Sequence, residues 1–418
     1  MAPEFVVDQS MREPVDIAII GAGAAGLFAA IWAGRTNPQR TIVVLDGAPK
    51  LGAKILVAGG GRCNVTHDQV DVTVYAGASH NAIRKVLRRF DVPQTMAFFR
   101  ELGVELKREE TGKLFPTTDS AKTILHALLT AANAAQVKIL HPYRVESIRK
   151  TAADFWISGA WGELRAQRVI MATGGKSLPK SGSDGQGYTL VKALGHTITE
   201  PILPALVPLT LPQNHFIRAL SGLTLPTTLE VRLGNGKKMI EFTDSTLCTH
   251  FGLSGPAVLD ISRYFLKAQI DDPQARLLIN WWPGKNSETL DAELQRLGHT
   301  TPLKLLREQL PERLARVLCE QAGVDPSAPG HQLTREQRKT LTYLVTALPL
   351  PITGNRGWNV AEVTAGGVPL SELDLNTMES RICPGLSFCG EICDVDGRIG
   401  GYNFQWAWSS GYVAGRSA

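Results

Sequence analysis

A glycine hexapeptide near the start of the chain, Gly21-Ala22-Gly23-Ala24-Ala25-Gly26, restricts the fold more than any other feature of the sequence. It lies between an apolar, β-branched run at 15–20 and an apolar helical pattern at 27–33, and a second apolar run follows at 41–46. In such a strand–helix–strand unit, Gly21 permits a tight turn, Gly23 lets a pyrophosphate approach the backbone, and Gly26 lets the helix pack on the strand. The helix start attracts phosphate, so the pattern predicts an α/β fold with a Rossmann-type nucleotide-binding domain.

An acidic residue, Asp46, ends the second apolar run. A carboxylate at this place accepts hydrogen bonds from ribose hydroxyls and disfavours a phosphate on the ribose. We therefore expect the nucleotide to be FAD or NAD rather than NADP.

A second glycine-rich segment at 52–64 predicts a loop that a flat ring system could approach closely. Arg62 offers a planar cation for phosphate or for an anionic reduced flavin, and the alternative is a surface ion pair. Cys63 is expected to be a small buried residue rather than a catalytic one, since no histidine or second cysteine neighbours it in sequence. The candidate contacts in this segment are Lys54, Gly60, Gly61, Arg62, Cys63 and Asn64.

Two later segments carry glycines where a nucleotide site needs them. The residues at 172–175 follow a buried strand pattern, and those at 400–405 open a helix. A helix start aimed at a flavin pyrimidine stabilises the negative charge that reduction places there. The remaining candidate contacts are Ala24, Ala25, Val145, Ala172, Thr173, Gly174, Gly390, Glu391, Gly401, Asn403 and Phe404.

Composition excludes several classes of protein. The net charge of +5 over 418 residues comes without a long basic run, so we expect no nucleic-acid partner. Six scattered cysteines form no disulfide framework and no metal-ligand pattern, so we expect no metal. No secretory signal opens the chain and no apolar stretch is long enough to span a membrane, so we expect a cytoplasmic protein without a membrane partner.

Changes in composition and in hydrophobic pattern along the chain predict its domains. Residues 1–13 are expected to be a flexible extension, and 14–198 and 361–418 to be the two parts of the nucleotide-binding domain. Prolines interrupt short β-rich runs after 199, which predicts an inserted β-rich domain at 199–284 and 346–360. The segment 285–345 is poor in glycine and carries leucine, glutamate and arginine at helical spacing, so we expect a helical subdomain there.

Several longer runs resemble one bacterial family of FAD-binding enzymes. The family is often described as aminoacetone-oxidase-like, and it also includes a flavin reductase of dehydro bile acids. The resemblance extends from about residue 14 to the end of the chain. The runs that carry it lie at 59–64, 112–116, 249–256, 361–368, 378–381, 390–397 and 400–403.

This resemblance implies a split FAD domain, an inserted β-barrel-like domain and a helical domain within that insertion. It also implies that Gly21, Gly23, Gly26, Asp46, Arg62, Gly390, Glu391 and Asn403 touch or shape a site for FAD, which we assume to be bound non-covalently. The chain departs from the family at two positions. Asp46 stands where many members carry glutamate, and Ala58 where serine is common.

The leading hypothesis is a flavoenzyme that moves a hydride between the flavin and a small-molecule substrate. The reaction is either oxidation of an amine or amino-ketone by O₂, or reduction of an enone with NADH or NADPH as a transient reductant. The alternative is a non-catalytic or RNA-directed flavoprotein in which FAD is a structural or sensing element. The sequence does not indicate the oligomeric state.

Two residues are candidates for proton transfer, His250 and Tyr402. For each of them the alternative is an ordinary structural residue. Arg356 is a candidate for binding a carboxylate, and an ordinary surface arginine is the alternative.

Overall fold

The computed structural model describes residues 14–418, so the expected flexible extension at 1–13 lies outside the described residues. The helices are α1 (Ala24–Thr36), α2 (Ala53–Gly61), α3 (His80–Leu87), α4 (Val92–Glu101), α5 (Ala121–Ala134), α6 (Gln186–Ala193), α7 (Phe216–Ala219), α8 (Pro256–Asp271), α9 (Ser287–Gln295), α10 (Pro302–Leu306), α11 (Glu312–Gln321), α12 (Arg335–Thr346) and α13 (Tyr402–Ser417).

The strands are mostly short. In chain order they are β1 (Val15–Ile20), β2 (Ile42–Leu45), β3 (Thr66–His67), β4 (Tyr75–Gly77), β5 (Leu106–Arg108), β6 (Lys113–Pro116), β7 (Lys138–Leu140), β8 (Ser147–Lys150), β9 (Phe155–Gly159), β10 (Gly162–Met171), β11 (Leu203–Ala205), β12 (Leu209–Thr210), β13 (Thr224–Arg232), β14 (Lys238–Thr249), β15 (Gly252–Ser254), β16 (Arg276–Asn280), β17 (Leu348–Leu350), β18 (Gly354–Asn355), β19 (Val363–Ala365), β20 (Leu373–Asp374), β21 (Glu379–Ser380), β22 (Leu386–Phe388) and β23 (Val395–Gly397).

The chain forms two compact units. Unit 1 comprises residues up to 204 together with 361–418, and unit 2 comprises 205–360. None of the helices in the described range 14–418 combines the length and the apolar composition needed to cross a membrane.

Unit 1 is built on a mixed sheet of nine strands, whose parallel part has the neighbouring order β22, β10, β1, β2, β7. The strands β8, β9, β20 and β21 join it by antiparallel pairing. The strands β1 and β2 are almost wholly apolar and buried, as expected for strands with both faces covered. The last segment of the chain completes this unit, because β22 adds to the sheet beside β10 and α13 packs on α1. The predicted α/β Rossmann-type fold is confirmed.

The packing of α1 on α13 depends on glycine. A Cβ atom on Gly411 would lie 2.8 Å from the Ala25 carbonyl oxygen, and one on Gly415 only 2.2 Å from the Ala29 carbonyl oxygen. The two helices therefore approach backbone to backbone, which fixes the start of α13 relative to the start of α1.

Unit 2 contains one sheet of seven antiparallel strands in the order β17, β16, β13, β14, β15, β12, β18. Its two end strands are consecutive along the chain and only 351–353 separates them, so the sheet must curl back on itself. The helices α9 to α12 share one hydrophobic core with this sheet. The boundaries expected at 284/285 and 345/346 stay a prediction.

The loop predicted at 52–64 is partly wrong, because its first part is helical. Residues 53–57 form the regular part of α2 and bury Ile55, while the backbone leaves the helical conformation at Ala58, Gly59 and Gly60. The helical path ends at Ala58, directly before the glycines, and the glycines continue with the positive φ values that they adopt readily.

Candidate functional site

The first glycine motif forms a tight turn between β1 and α1. Gly21 has a φ of +107°, and a Cβ atom there would lie 2.5 Å from the Ala172 carbonyl oxygen. A Cβ atom on Gly26 would lie 1.9 Å from the Gly21 carbonyl oxygen, whereas one on Gly23 would meet no described atom within 4 Å. Gly21 and Gly26 are thus required by packing, while Gly23 leaves the start of α1 accessible to a ligand.

The first turn of α1 suits an anion. Gly23 is its N-cap without a side-chain cap, and that turn, with Ala24 and Ala25, carries no acidic residue. The N–H groups of a helix start have no intrahelical acceptor and attract phosphate.

Asp46 lies beside this turn. Its carboxylate accepts hydrogen bonds from the Ala22 N–H at 2.6 Å and from the Ala48 N–H at 2.7 Å. The carboxylate is thereby fixed at the glycine turn, with lone pairs left for further donors. The Tyr143 N–H donates to the Asp46 carbonyl oxygen at 2.7 Å, which brings the chain around the buried Val145 to the same end of the sheet.

The second glycine segment has an unusual backbone. Gly59, Gly60 and Gly61 all have positive φ, at +57°, +69° and +87°. A Cβ atom on Gly60 would meet no described atom within 4 Å, and the nearest atom to one on Gly61 lies at 3.8 Å. The segment offers a bare, exposed strip of backbone, which is the surface that a flat ring needs.

Arg62 is held by neighbouring acids. Its guanidinium lies 2.6 Å from Glu109 and 3.6 Å from Asp119, and it stacks over the Phe115 ring at 4.0 Å. The side chain is 39% exposed. This ion pair is the alternative raised from the sequence, so Arg62 orders the segment rather than offering an unpaired cation.

Asn64 lies next to the start of α13. The residue is 8% exposed, and its Oδ1 atom is buried without a hydrogen-bond partner among the described residues. A Cβ atom on Gly401, the N-cap of α13, would lie 2.9 Å from this oxygen. A buried acceptor without a donor is rare in native proteins and indicates a missing partner, such as a ligand N–H group.

Glu391 is the centre of a polar network in unit 1. Its carboxylate binds the Lys54 ammonium and accepts hydrogen bonds from the Ser177 hydroxyl and the Thr364 N–H, both at 2.9 Å. The Lys54 ammonium also contacts the Ser177 hydroxyl at 2.6 Å. Sequence reasoning missed Ser177 and Thr364, since hydroxyl residues far apart in sequence give no signal of their own.

Gly390 and the 172–174 segment bring this network to the first glycine motif. A Cβ atom on Gly390 would lie 2.6 Å from the Ala25 Cβ atom. Gly174 has a φ of +71°, and the Thr173 hydroxyl packs where a Cβ atom on Gly187 would lie, at 2.0 Å. A Cβ atom on Gly21 would lie 2.5 Å from the Ala172 carbonyl oxygen and 3.3 Å from the Thr173 Cα atom, so Ala172 and Thr173 border the Gly21 turn, Gly390 borders the first turn of α1, and Gly174 follows next in sequence.

The other candidates in α13 shape its start. Both amide atoms of the Asn403 side chain bind the Gly397 backbone at 2.8 Å, and Phe404 stacks on Trp408 with the ring centres 5.4 Å apart. The Tyr402 ring stacks on His67 at 5.0 Å, and its carbonyl oxygen accepts the Tyr75 hydroxyl at 2.8 Å.

His250 and Arg356 lie in unit 2. His250 is exposed and packs edge-on against Phe251 at 5.1 Å, and Arg356 lies over the same Phe251 ring at 4.5 Å. Their roles in proton transfer and carboxylate binding stay predictions.

The described residues fit FAD. The bare backbone at Gly23 and Gly60, the buried acceptor of Asn64 and the starts of α1 and α13 are what a dinucleotide with a flavin ring requires. Gly23 and the first turn of α1 would hold the pyrophosphate, Asp46 the ribose, and Asn64 with Gly401 the ring.

The six cysteines are free and buried, and this burial predicts a loss of stability in alkali. Burial raises the pKa of Cys63 and Cys248 to about 12 and that of Cys319 to about 11. Above the ordinary thiol pKa the unfolded chain loses protons that the folded chain keeps. The free energy of unfolding therefore falls as the pH rises, by about 1.4 kcal/mol per pH unit for each such thiol.

We expect the urea midpoint of Cys63→Ala to fall less than that of the unchanged protein between about pH 9 and pH 11. Equal falls would contradict this assignment.

Comparison with known proteins gives relatives that cover nearly the whole chain. A family model described as HI0933-like protein Rossmann domain matches residues 15–417. A 3-dehydro-bile acid delta(4,6)-reductase of Clostridium scindens is 34% identical over 406 residues, which are 96% of this chain and 98% of that protein. A ribosomal RNA dihydrouridine synthase of Escherichia coli is 34% identical over 404 residues, which are 96% of this chain and 97% of that protein.

Among solved structures, a variant of the E. coli quinol fumarate reductase is similar, with a TM-score of 0.51 and 18% identity. The match covers 97% of this chain and 69% of that one. This likeness concerns the fold.

Proposed function

Because the chain belongs to the HI0933-like Rossmann family of FAD-binding oxidoreductases, we propose that it is a flavin-dependent reductase of a carbon–carbon double bond conjugated with a carbonyl group. NADH or NADPH is the proposed electron donor. Oxidation of an amine or amino-ketone is the competing reaction.

The names of the two relatives carry this proposal. The first name specifies a 3-dehydro bile acid, which has a ketone at C3, with delta-4 and delta-6 double bonds that are conjugated with this ketone. Dihydrouridine is the product of reducing the uracil ring at a double bond that is conjugated with a ring carbonyl. The two substrates differ in size and charge but share an enone-like group, and this shared group supports the proposed reaction.

The site described above suits this reaction. Bound FAD supplies a centre that accepts two electrons from one substrate and gives them to another. The start of α13 at Gly401 stabilises negative charge on a group placed before it, and Asn64 offers a buried acceptor to an N–H donor. The open backbone at Gly60 and Gly61 leaves space for a flat substrate or a nicotinamide to approach.

The donor is proposed to react by transient contact. The sequence contains one G-x-G-x-x-G motif followed by a suitable acid, so a separate nicotinamide domain is not expected. Six free, buried cysteines agree with a reducing compartment such as the cytoplasm.

Anaerobic stopped-flow measurement of the flavin absorbance tests this proposal. The FAD-loaded protein is mixed with NADH and then NADPH, with free FAD as the control, and a 3-oxo-4,6-diene steroid or a uridine-containing RNA is added afterwards. We expect rapid bleaching by one nicotinamide and recovery on adding a conjugated acceptor. Bleaching by aminoacetone but by neither nicotinamide would overturn the proposal in favour of an oxidase, and stable FAD with no turnover would favour a sensing flavoprotein.

Two substrates of this chemistry are proposed. A small enone agrees with the modest charge of the chain, while the likeness to a ribosomal RNA dihydrouridine synthase favours a uracil base within RNA. The two are distinguished by whether the acceptor that reoxidises the flavin must be part of a polynucleotide.

A further inference from the structure

The short helix α3 has one apolar side and one cationic side. Ile83, Val86, Leu87 and Phe90 follow the spacing of a helix face, and all four are buried in the core of unit 1. Four cations lie on the opposite side, namely Arg84 and Lys85 within α3, Arg88 at its C-cap and Arg89 in the turn that follows. We refer to these four residues as the α3 cationic face.

This clustering of cations is not apparent from the sequence alone. Val86 and Leu87 separate the two pairs of cations, so no long basic run is visible. The helical period of 3.6 residues turns the two apolar side chains inward and brings the four cations together.

The charge of this face is only partly balanced. Arg84 donates to the Asn81 side chain at 2.7 Å and Arg89 to Asn376 at 2.9 Å, and both of these partners are neutral. The Arg88 backbone N–H donates to the Arg84 carbonyl oxygen at 3.1 Å, but its guanidinium has no hydrogen-bond or ion-pair partner in the part of the chain that the structure describes.

Nearby carboxylates interact with two of the four cations. Backbone hydrogen bonds from Thr73 and Asn376 are the main causes that lower the pKa of Asp71 and of Asp374, respectively. The charge of Arg84 adds to the lowering at Asp71, and that of Lys85 to the lowering at Asp374. The exposed Arg88 guanidinium, which has no side-chain partner among the described residues, is the cation of this face best placed to attract an external anion.

The α3 cationic face lies close to the start of α13. The Phe90 carbonyl oxygen accepts hydrogen bonds from the Gln405 amide at 3.0 Å and from the Ser409 hydroxyl at 2.6 Å. Gln405 is one helical turn from Gly401, so Arg88 lies within roughly 20 Å of the proposed flavin site. A few nucleotides of single-stranded RNA can span that distance.

The partner must be a polyanion that needs no apolar contact. A membrane-binding amphipathic helix inserts apolar side chains into the lipid. The apolar side of α3 is already covered by the core of unit 1, with Ile83 and Val86 fully buried. A reactive base, by contrast, has to leave its stack while its flanking phosphates stay outside the site, where cations can hold them.

We propose that the α3 cationic face binds the phosphates of an RNA strand whose uracil base enters the flavin site. This inference rests on the proposed function with RNA as the substrate. It assigns to Arg84, Lys85, Arg88 and Arg89 the role of placing the strand, not of reacting with it.

Binding is measured without any reductant, so that the result does not depend on turnover. The FAD-loaded full chain is titrated into a fluorescent RNA hairpin with a uridine loop at several salt concentrations. The test variant is Lys85→Gln with Arg88→Gln, two exposed changes on one side of α3. The control variant is Lys237→Gln with Lys238→Gln, which removes the same charge from an exposed hairpin of unit 2.

We expect the test variant to bind the hairpin about tenfold more weakly, with the salt dependence reduced by about two phosphate contacts. The control variant should bind as the unchanged protein does. Absence of RNA binding by the unchanged protein, or equal weakening in both variants, would overturn the inference. Binding to anionic phosphatidylserine vesicles that depends on α3, without such RNA binding, would overturn it in favour of a membrane. Failure of flavin reduction with RNA binding intact would count against the proposed reaction alone.

Discussion

Replacing Gly23 with alanine is expected to leave the apoprotein folded and to weaken its binding of FAD by about tenfold or more. A Cβ atom at this position meets no described atom within 4 Å, and the φ of −77° is ordinary for alanine. The methyl group would instead stand where a pyrophosphate must approach the start of α1. Titration of the apoprotein with FAD, followed by flavin fluorescence, measures the affinity, and thermal unfolding of the apoprotein measures the fold.

Gly26→Ala is the matched control, because the same methyl group is added three residues away. Its Cβ atom would lie 1.9 Å from the Gly21 carbonyl oxygen, so the helix must move off the strand. We expect the free energy of unfolding of the apoprotein to fall by about 1–3 kcal/mol. If Gly23→Ala destabilised the apoprotein as much as Gly26→Ala does, or bound FAD normally, Gly23 would be a packing residue and not part of the nucleotide site.

Glu391→Ala is expected to lower the free energy of unfolding of the apoprotein by about 2–4 kcal/mol. The side chain is 17% exposed and satisfies the Lys54 ammonium, the Ser177 hydroxyl and the Thr364 N–H at once. Removing it leaves the Thr364 N–H without this acceptor and the Lys54 ammonium with the neutral Ser177 hydroxyl alone, and the ammonium without its counter-charge is the more costly of the two. Urea unfolding of the apoprotein separates this effect from the loss of a ligand contact.

Glu391→Gln and Lys54→Met complete the test. Glutamine keeps an acceptor for Thr364 but loses the charge, so its effect should be smaller than that of alanine. In the double variant Lys54→Met with Glu391→Gln, the losses in the free energy of unfolding should not add. The methionine removes the ammonium that the glutamine leaves unpaired, so we expect a coupling free energy of about 1–2 kcal/mol between the two changes. Additive effects would show that the ion pair contributes little.

The first part of the site could be predicted because it is local in sequence. The turn at Gly21–Gly26 and the acid Asp46 are set by one strand–helix–strand unit, and the structure joins them through the Ala22 N–H. The buried apolar strands β1 and β2 follow from the same pattern.

The rest depends on contacts between distant segments. Glu391 reaches Lys54 across 337 residues and Ser177 across 214, and nothing in a single sequence pairs such residues. The sequence leaves two roles for Arg62, contact with a ligand and an ion pair, because its partner Glu109 lies on a separate hairpin 47 residues away. The α3 cationic face was missed for a different reason, since its residues are close in sequence but are brought together only by the helix.

The number of FAD molecules that the purified chain binds tests the central claim most directly. The apoprotein is titrated with FAD, unbound flavin is removed, and the flavin released by denaturation is compared with the protein concentration. We predict one FAD per chain, released intact because it is bound non-covalently. A protein that unfolds normally but takes up no FAD would contradict the assignment of unit 1 as a flavin-binding domain.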